Sequence, residues 1–268
     1  LSDHGILKRA GEILLSPAAP TKVTIRHLWR VMPSSDPQVT EFCSPLLEAL
    51  PALRRLILER ANQEMVRVQF NTGQESAIPR FPAQAIDEAI TNAIIHRDWR
   101  TEMPIVIDQS PRIMKVWSPG PLVPGVDENR LLTTQSVPRN GRLMATMRSI
   151  GLAEESSRGF DRMWLAMLST GREVPEVIAT DEFVEVIFAA GNPDVAFIKA
   201  IHELQERFSD EVINNLNTML VLWKLWHAPL ITLKQTAHST QTSALEAREL
   251  LNALEGFGVL QQLSLIHI

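Results

Sequence analysis

Residues 85 to 98, Ala-Ile-Asp-Glu-Ala-Ile-Thr-Asn-Ala-Ile-Ile-His-Arg-Asp, constrain this chain more than any other stretch. Ala85, Ile86, Ala89, Ile90, Ala93 and Ile94 recur at helical spacing and cover one half of a helix, at about 100° per residue. Glu88, Asn92 and His96 form a second stripe, each four residues from the last, so their side chains lie above one another. On the helical wheel Asn92 and His96 fall at the edge of the apolar arc. A desolvated amide or imidazole without a partner costs roughly 1–3 kcal/mol. That partner can be a ligand or a neighbouring loop.

The chemistry that suits the stripe is metal-assisted phosphate hydrolysis. Asn92 offers a neutral carbonyl oxygen to a hard cation such as Mg²⁺, which keeps several waters and otherwise takes phosphate oxygens. One turn earlier, Glu88 can polarise an attacking water as a general base. A plain core helix, with Glu, Asn and His solvated or bonded to loops, accounts for the same pattern.

Composition narrows the classes. Net charge is −5, with a pI of about 5.8, so no global basic field attracts nucleic acid and any such contact must be local. Six of the 26 basic residues are Lys and the other 20 are Arg, which favours bidentate phosphate or carboxylate contacts. Cys43 is the only cysteine, which rules out an intrachain disulfide and argues against a cysteine zinc site. No apolar run approaches the ~18 residues of a membrane span and no signal peptide is visible, so a cytoplasmic location is expected. The missing initiator Met and the helix-like opening suggest a piece of a longer protein.

Along the chain, residues 3 to 15 read as a short amphipathic helix and 21 to 31 as a half-buried strand. Residues 44 to 62 return to helical spacing, with Ser44 as N-cap and Pro45 at the first helical position. Met65 to Phe70 alternates as a strand, and residues 82 to 97 make the central helix. Two strands, 104 to 108 and 112 to 117, lead into Ser118-Pro119-Gly120-Pro121-Leu122-Val123-Pro124-Gly125. Its glycines can bring backbone N–H groups close to a phosphate or base, although a rigid surface loop is the commoner use of such runs. Arg139-Asn140 opens a helix to Ile150, and residues 154 to 170 pass from a Ser/Gly loop into another, a ready anion site. Two strands around Thr180-Asp181 fill 175 to 189, and a helix from 194 to 208 leads away.

The last section has a different rhythm. Helices are expected at 211 to 227, at 233 to 238 and at 242 to 255, followed by a strand from Val259 to Leu265. This is the order of a winged helix-turn-helix. Residues 232 to 256 carry only Lys234 and Arg248 against Glu246, Glu249 and Glu255, so duplex DNA contact competes with a docking role. Leu220, Leu222, Trp223 and Trp226 suit either a homodimer interface or a core, and the core is favoured.

Taken in order, Glu88 to Asp98, Ser118-Pro119-Gly120, Arg139-Asn140, Gly151-Leu152-Ala153-Glu154 and Arg158-Gly159 resemble a known family. It is the divergent ATPase module that forms the C-terminal domain of RecG-like ATP-dependent DNA helicases. By similarity that module joins the superfamily of gyrase, heat-shock chaperone ATPases, sensor histidine kinases and mismatch-repair ATPases. In many bacterial regulators it follows a Schlafen-type AlbA domain and precedes a winged helix. The resemblance covers roughly residues 5 to 200.

The resemblance implies an α/β sandwich of the histidine-kinase-like ATPase fold at residues 81–205. It also implies an α+β connector at 1–80, the tail of an upstream domain, and a winged helix-turn-helix at 206–268. ATP and Mg²⁺ are the implied cofactors. Position by position, Glu88 becomes the water-activating base and Asn92 the Mg²⁺ ligand. His96, Arg97 and Asp98 become the end of the helix and the lip of the pocket. Ser118 and Gly120 stand in the place of an adenine-reading loop, with Arg139 and Asn140 in the next segment and Gly159 in the later glycine loop. Two departures stand out. Ser118 occupies the place of the adenine-reading Asp, and the later Gly-x-Gly is here Ser157-Arg158-Gly159. No lysine sits near either loop.

The function that follows is an ATP-binding regulatory protein coupled to nucleic-acid-binding flanking domains, with at most slow hydrolysis. No Gly-x-x-x-x-Gly-Lys-Ser/Thr loop is present, so helicase motor activity is not expected. The alternatives are a degenerate scaffold that binds no nucleotide and a DNA-binding repressor that senses another ligand.

Overall fold

The computed structural model describes residues 2–3, 6–16, 22–32, 34–61, 65–134, 137–153 and 159–261. In chain order the elements begin with β1 (Ser2–Asp3), β2 (Ile6–Leu7), α1 (Arg9–Leu15), β3 (Ile25–Trp29), β4 (Gln38–Phe42) and α2 (Leu46–Ala61). They continue with β5 (Val66–Gln69), β6 (Glu75–Ile78), α3 (Ala83–His96), β7 (Ile105–Gln109), β8 (Ile113–Pro119), α4 (Gly141–Ser149) and α5 (Gly159–Ser169). The rest are β9 (Glu176–Ala179), β10 (Phe183–Ala189), α6 (Val195–Arg207), α7 (Asp210–Ile213), α8 (Leu216–His227), α9 (Leu233–Thr240) and α10 (Ala244–Gly256).

Six strands join one mixed sheet in the order β4-β3-β7-β8-β10-β9. All neighbours are antiparallel except β3 and β7, which are parallel. Register places Ile25 beside Ile105, Ile107 beside Val116, and Val116 beside Val186, so alternate residues of four strands share one buried face. The helices cover that face. The opposite face carries ion pairs, Arg26–Glu41 at 2.7 Å and Arg30–Asp108 at 3.0 Å. This mixed α/β arrangement suits an ATPase-like fold.

Helix α3 buries Ala85, Ile86, Ala89, Ile90, Ala93, Ile94 and Ile95 against β8, α2 and α5. Each fully buried isoleucine contributes roughly 1.5–3 kcal/mol. The apolar arc read from the sequence is thus the arc that packs. His27 and Gln109 share a buried hydrogen bond of 2.8 Å, and Gln109 also donates to the Ile57 carbonyl at 3.1 Å, tying the sheet to α2.

Several expectations are corrected. Residues 3 to 15 are not one helix: the chain forms the short β1–β2 pair, and α1 begins only at Arg9. β4 and β6 escaped the pattern search because β4 is mostly exposed and β6 is a four-residue partner of β5. Strands β3 and β4, from the segment expected as a connector, extend the central sheet through the β3–β7 pairing. The helix expected over 211 to 227 is broken, because the Asn215 side chain accepts from the Asn217 and Thr218 N–H groups and starts α8 afresh. Val259 and Leu260 are not in a strand; both backbone N–H groups donate to the Leu254 carbonyl, and residues 262 to 265 lie outside the described residues.

α8, α9 and α10 pack on one another, and α9 and α10 each open with a capping box, at Thr232/Gln235 and Ser243/Glu246. Leu220 and Trp223 are buried in the main core, Leu222 packs against it, and Trp226 is 43% exposed. Trp223 Nε1 donates to Glu173 at 3.0 Å and Trp226 Nε1 to Asp194 at 2.7 Å, so α8 is stitched to the central body. No helix among the described residues is long and apolar enough to cross a membrane.

Candidate functional site

A helix leaves its last four carbonyls without intrahelical donors, and α3 ends inside the molecule where water cannot supply them. Side chains do so instead. Trp99 Nε1 donates to the Ile94 carbonyl at 3.1 Å, and Ser118 Oγ adds a second donor, at 2.8 Å, to the Ala93 carbonyl that already accepts the Arg97 N–H. Asn140 Nδ2 donates to the Ile95 and Arg97 carbonyls at 2.9 and 2.8 Å, and Arg139 Nε to that of His96 at 2.9 Å. Arg139 also reaches the Pro121 carbonyl at 2.7 Å. Three residues expected in a cofactor site, Ser118, Arg139 and Asn140, therefore clasp the end of α3. Because its amide is committed there, Asn140 starts α4 without a side-chain cap.

Arg97 and Asp98 complete this end. Arg97 is buried, donates to the Thr24 and Met103 carbonyls and lies over the Trp99 ring; burial, with Arg9 nearby, lowers its pKa to about 10. Asp98 is held down to about 2 by side-chain and backbone hydrogen bonds from Arg100. Gly120 has φ +108°, and a Cβ there would lie 2.9 Å from the Asp98 Cβ and 3.2 Å from its backbone nitrogen. Only glycine lets the loop close over this turn.

Toward the start of α3 the stripe meets α5. A Cβ on Gly159 would lie 2.7 Å from Glu88 Oε2 and 3.1 Å from Asn92 Nδ2, so glycine lets α5 rest directly on both side chains. One helical turn into α5, Arg162 forms an ion pair with Glu88 at 2.5 Å, with both side chains largely shielded. Burial raises the Glu88 pKa, Arg162 opposes that rise, and neighbouring Asp87 reinforces it. Among the described residues, Asn92 Nδ2 is buried and has no hydrogen-bond partner.

Two cavities flank this pair and meet at Asn92 and Gly159, which line both. The first, of about 320 Å³, lies between α3, the sheet and the loop after β8. Its walls are largely aliphatic, among them Ala89, Val116, Val184, Val186, Leu122 and Leu131, with Asn92, His96, Ser118 and Asp161 at polar points. Burial, with Arg139 nearby, lowers the His96 pKa to about 4, so the imidazole is neutral at physiological pH. The second cavity, of about 540 Å³, lies between α2, α3, α4 and α5 and is lined by Glu88, Asp87, Arg54, Arg148 and Arg162. A volume of ~300–1,000 Å³ is that of a small-molecule site.

Of the expected residues, Asn92, His96, Ser118, Gly120 and Gly159 line the first cavity, and Glu88, Asn92 and Gly159 line the second. Arg139 and Asn140 line neither. Ser157 and Arg158 lie outside the described residues. Arg148 and Arg162 were missed in the sequence. The available signal was Arg162 three residues after Gly159, the spacing that returns a side chain to the same helix face.

An acid and an amide one turn apart on α3 thus border two cavities of small-molecule size beside a mixed sheet. Residues 102–188, from β7 to β10, match the family described as "Putative ATP-dependent DNA helicase recG C-terminal". That span begins after α3, so Glu88 and Asn92 lie just outside it. The crystal structure of the DIP2311 protein from Corynebacterium diphtheriae is similar over 94% of this chain, with a TM-score of 0.79 and 25% sequence identity. The match takes in 51% of that protein, so this chain spans about half its length. Among curated proteins there is no match.

Proposed function

We propose that the chain is a nucleotide-responsive regulatory module whose first cavity takes the base and sugar of ATP. The observation that carries the reading is the 320 Å³ aliphatic slot between α3 and the sheet, lined by Asn92, whose Nδ2 has no hydrogen-bond partner among the described residues. Aliphatic walls suit the faces of a purine, and a few polar points set its orientation. His96, held neutral, can donate or accept there.

The residues present fit Mg²⁺ only as an ion that arrives with phosphate. Among the described residues no group of three or more His, Cys, Asp or Glu could cage a metal. Asn92 Oδ1 would be its protein ligand, with phosphate oxygens and waters filling the rest, the usual preference of this ion. When bound, Mg²⁺ supplies charge neutralisation at the phosphates. Glu88 is the group that would accept a proton from water, and its pairing with Arg162 favours the carboxylate while weakening it as a base. Slow turnover at most is the expected result.

Coupling to the C-terminal helices has a structural route. The loop lining the first cavity includes Leu131 and Leu132, and the Leu132 N–H donates to Gln241 Oε1 at 2.9 Å. Gln241, with φ +55°, is the turn residue between α9 and α10. Filling the cavity therefore bears on the part of the chain we read as a helix-turn-helix for duplex DNA or a docking partner.

Calorimetric titration of ATP with Mg²⁺ into wild type and Asn92→Ala tests the reading. Binding in wild type, weakened at least tenfold in the variant, is expected; no heat in wild type removes the nucleotide proposal. A scaffold that binds no nucleotide is the second reading, favoured by the use of Ser118, Arg139 and Asn140 to clasp α3. A gel shift on duplex DNA, with and without residues 206–268, tests the nucleic-acid role, and a shift that survives the deletion excludes the C-terminal helices as its reader.

A further inference from the structure

Among the described residues, the second cavity holds an imbalance of charge that the proposed nucleotide site does not use. Arg54, Arg148 and Arg162 face it together with Asp87 and Glu88. Arg54 grips Asp87 through two hydrogen bonds of 2.6 and 2.9 Å, and Arg162 pairs with Glu88. Both carboxylates are thus engaged. The Arg148 side chain, on α4, forms neither an ion pair nor a hydrogen bond among the described residues, and its Nε is buried.

A guanidinium without a counter-ion at the wall of a cavity is unfavourable, because a desolvated donor costs roughly 1–3 kcal/mol and more when charged. An anion entering the cavity offsets that cost. Guanidinium geometry matches two oxygens of one phosphate, which a lysine cannot do. The sequence offers no lysine near either loop, and the arginines supply the charge instead.

We infer that the second cavity is a phosphate subsite, with Arg148 as the residue that grips the anion and Arg162 as its neighbour across the cavity. The inference rests on the nucleotide reading for one further step. Since Asn92 and Gly159 line both cavities, a base and sugar in the first pass their phosphates to the second. Phosphate binding here comes from side-chain cations and does not require Mg²⁺.

Calorimetry on the whole chain, first in EDTA and then in Mg²⁺, tests this with adenosine, AMP, ADP, ATP and pyrophosphate as separate probes. In wild type, affinity in EDTA is expected to rise about tenfold from adenosine to ADP, the scale of a charge-assisted contact to phosphate. In Arg148→Gln that gain disappears while adenosine binds as before, and Arg148→Lys recovers part of it. Equal ADP affinity in wild type and Arg148→Gln overturns the subsite and leaves the nucleotide reading standing. If neither adenosine nor ATP binds wild type, the nucleotide reading fails on its own. Pyrophosphate then decides between the sources: binding that Arg148→Gln abolishes upholds a free-anion site, and absence of binding overturns it. Thermal melts of each variant confirm that the fold is intact, since Arg148 belongs to neither the core nor the clasp around α3.

Discussion

Replacing Arg162 by methionine tests the electrostatics of the α3–α5 contact most directly. The substitution keeps the length of the aliphatic stem and removes the cation from a Glu88 carboxylate whose side chain is only 12% exposed. Breaking a buried pair by deleting one partner costs ~3–5 kcal/mol, and the residual exposure here places the expected loss near the lower end, about 3 kcal/mol at pH 8. The pH dependence follows from Glu88. Burial already raises its pKa above the ordinary 4.5, and removing Arg162 raises it further. The folded chain then holds the proton more tightly than the unfolded chain. The penalty is therefore full above the folded pKa and shrinks as pH falls through it toward 4.5. Urea unfolding followed by tryptophan fluorescence, at pH 8 and pH 5, reads both quantities. Glu88→Gln combined with Arg162→Met should recover much of the loss, because the buried Glu88 charge is removed together with its partner. A change below 0.5 kcal/mol at pH 8, on the order of what ordinary surface sites show, would refute the reasoning. So would a loss that does not diminish at pH 5.

The other expectations concern the two ends of α3 and the loop between them. Gly120→Ala should lose about 2 kcal/mol in urea unfolding, since φ +108° and the Asp98 backbone at 3.2 Å leave no room for a methyl group. Asn140→Ala removes the donors to the Ile95 and Arg97 carbonyls and should cost about 2 kcal/mol; hydrogen exchange should quicken in the last turn of α3 before that of β8. His96 should titrate near pH 4 by NMR. The folded chain disfavours that proton, so stability from His96 is full above about pH 6.5 and is lost as pH falls through about 4, a decline that His96→Gln should flatten. Gln241→Ala should leave adenosine affinity within about twofold and, if the coupling route is right, abolish any nucleotide-induced change in protease protection of residues 233–256.

Glu88 and Asn92 were legible as a turn-spaced pair because helical periodicity is a local property, and the folded chain places both at cavity walls. Gly159 was legible as a loop glycine, while its contact with both side chains was not. The roles of Ser118, Arg139 and Asn140 differ most from expectation. Their order along the chain resembles a nucleotide-binding signature, yet their donors fall on carbonyls of α3, and nothing local in sequence says where a distant helix ends. Arg148 and Arg162 were overlooked because a single arginine on a helix reads as a solvated face until a carboxylate or a cavity is found opposite it.

By itself, the sequence determined several elements: the apolar arc of α3 and the period-two strands follow from repeats of 3.6 and two residues, and the Pro-Gly break after β8 follows from the residue types. Tertiary structure alone decided that β3 and β4 extend the central sheet, that α8 is stitched to the central body through Trp223 and Trp226, and that an Arg-lined cavity adjoins an aliphatic one. The reason is physical. Periodicity says which face of an element must be buried, whereas the partner for a buried charge or an orphan carbonyl is chosen by whatever the chain brings near it from tens of residues away.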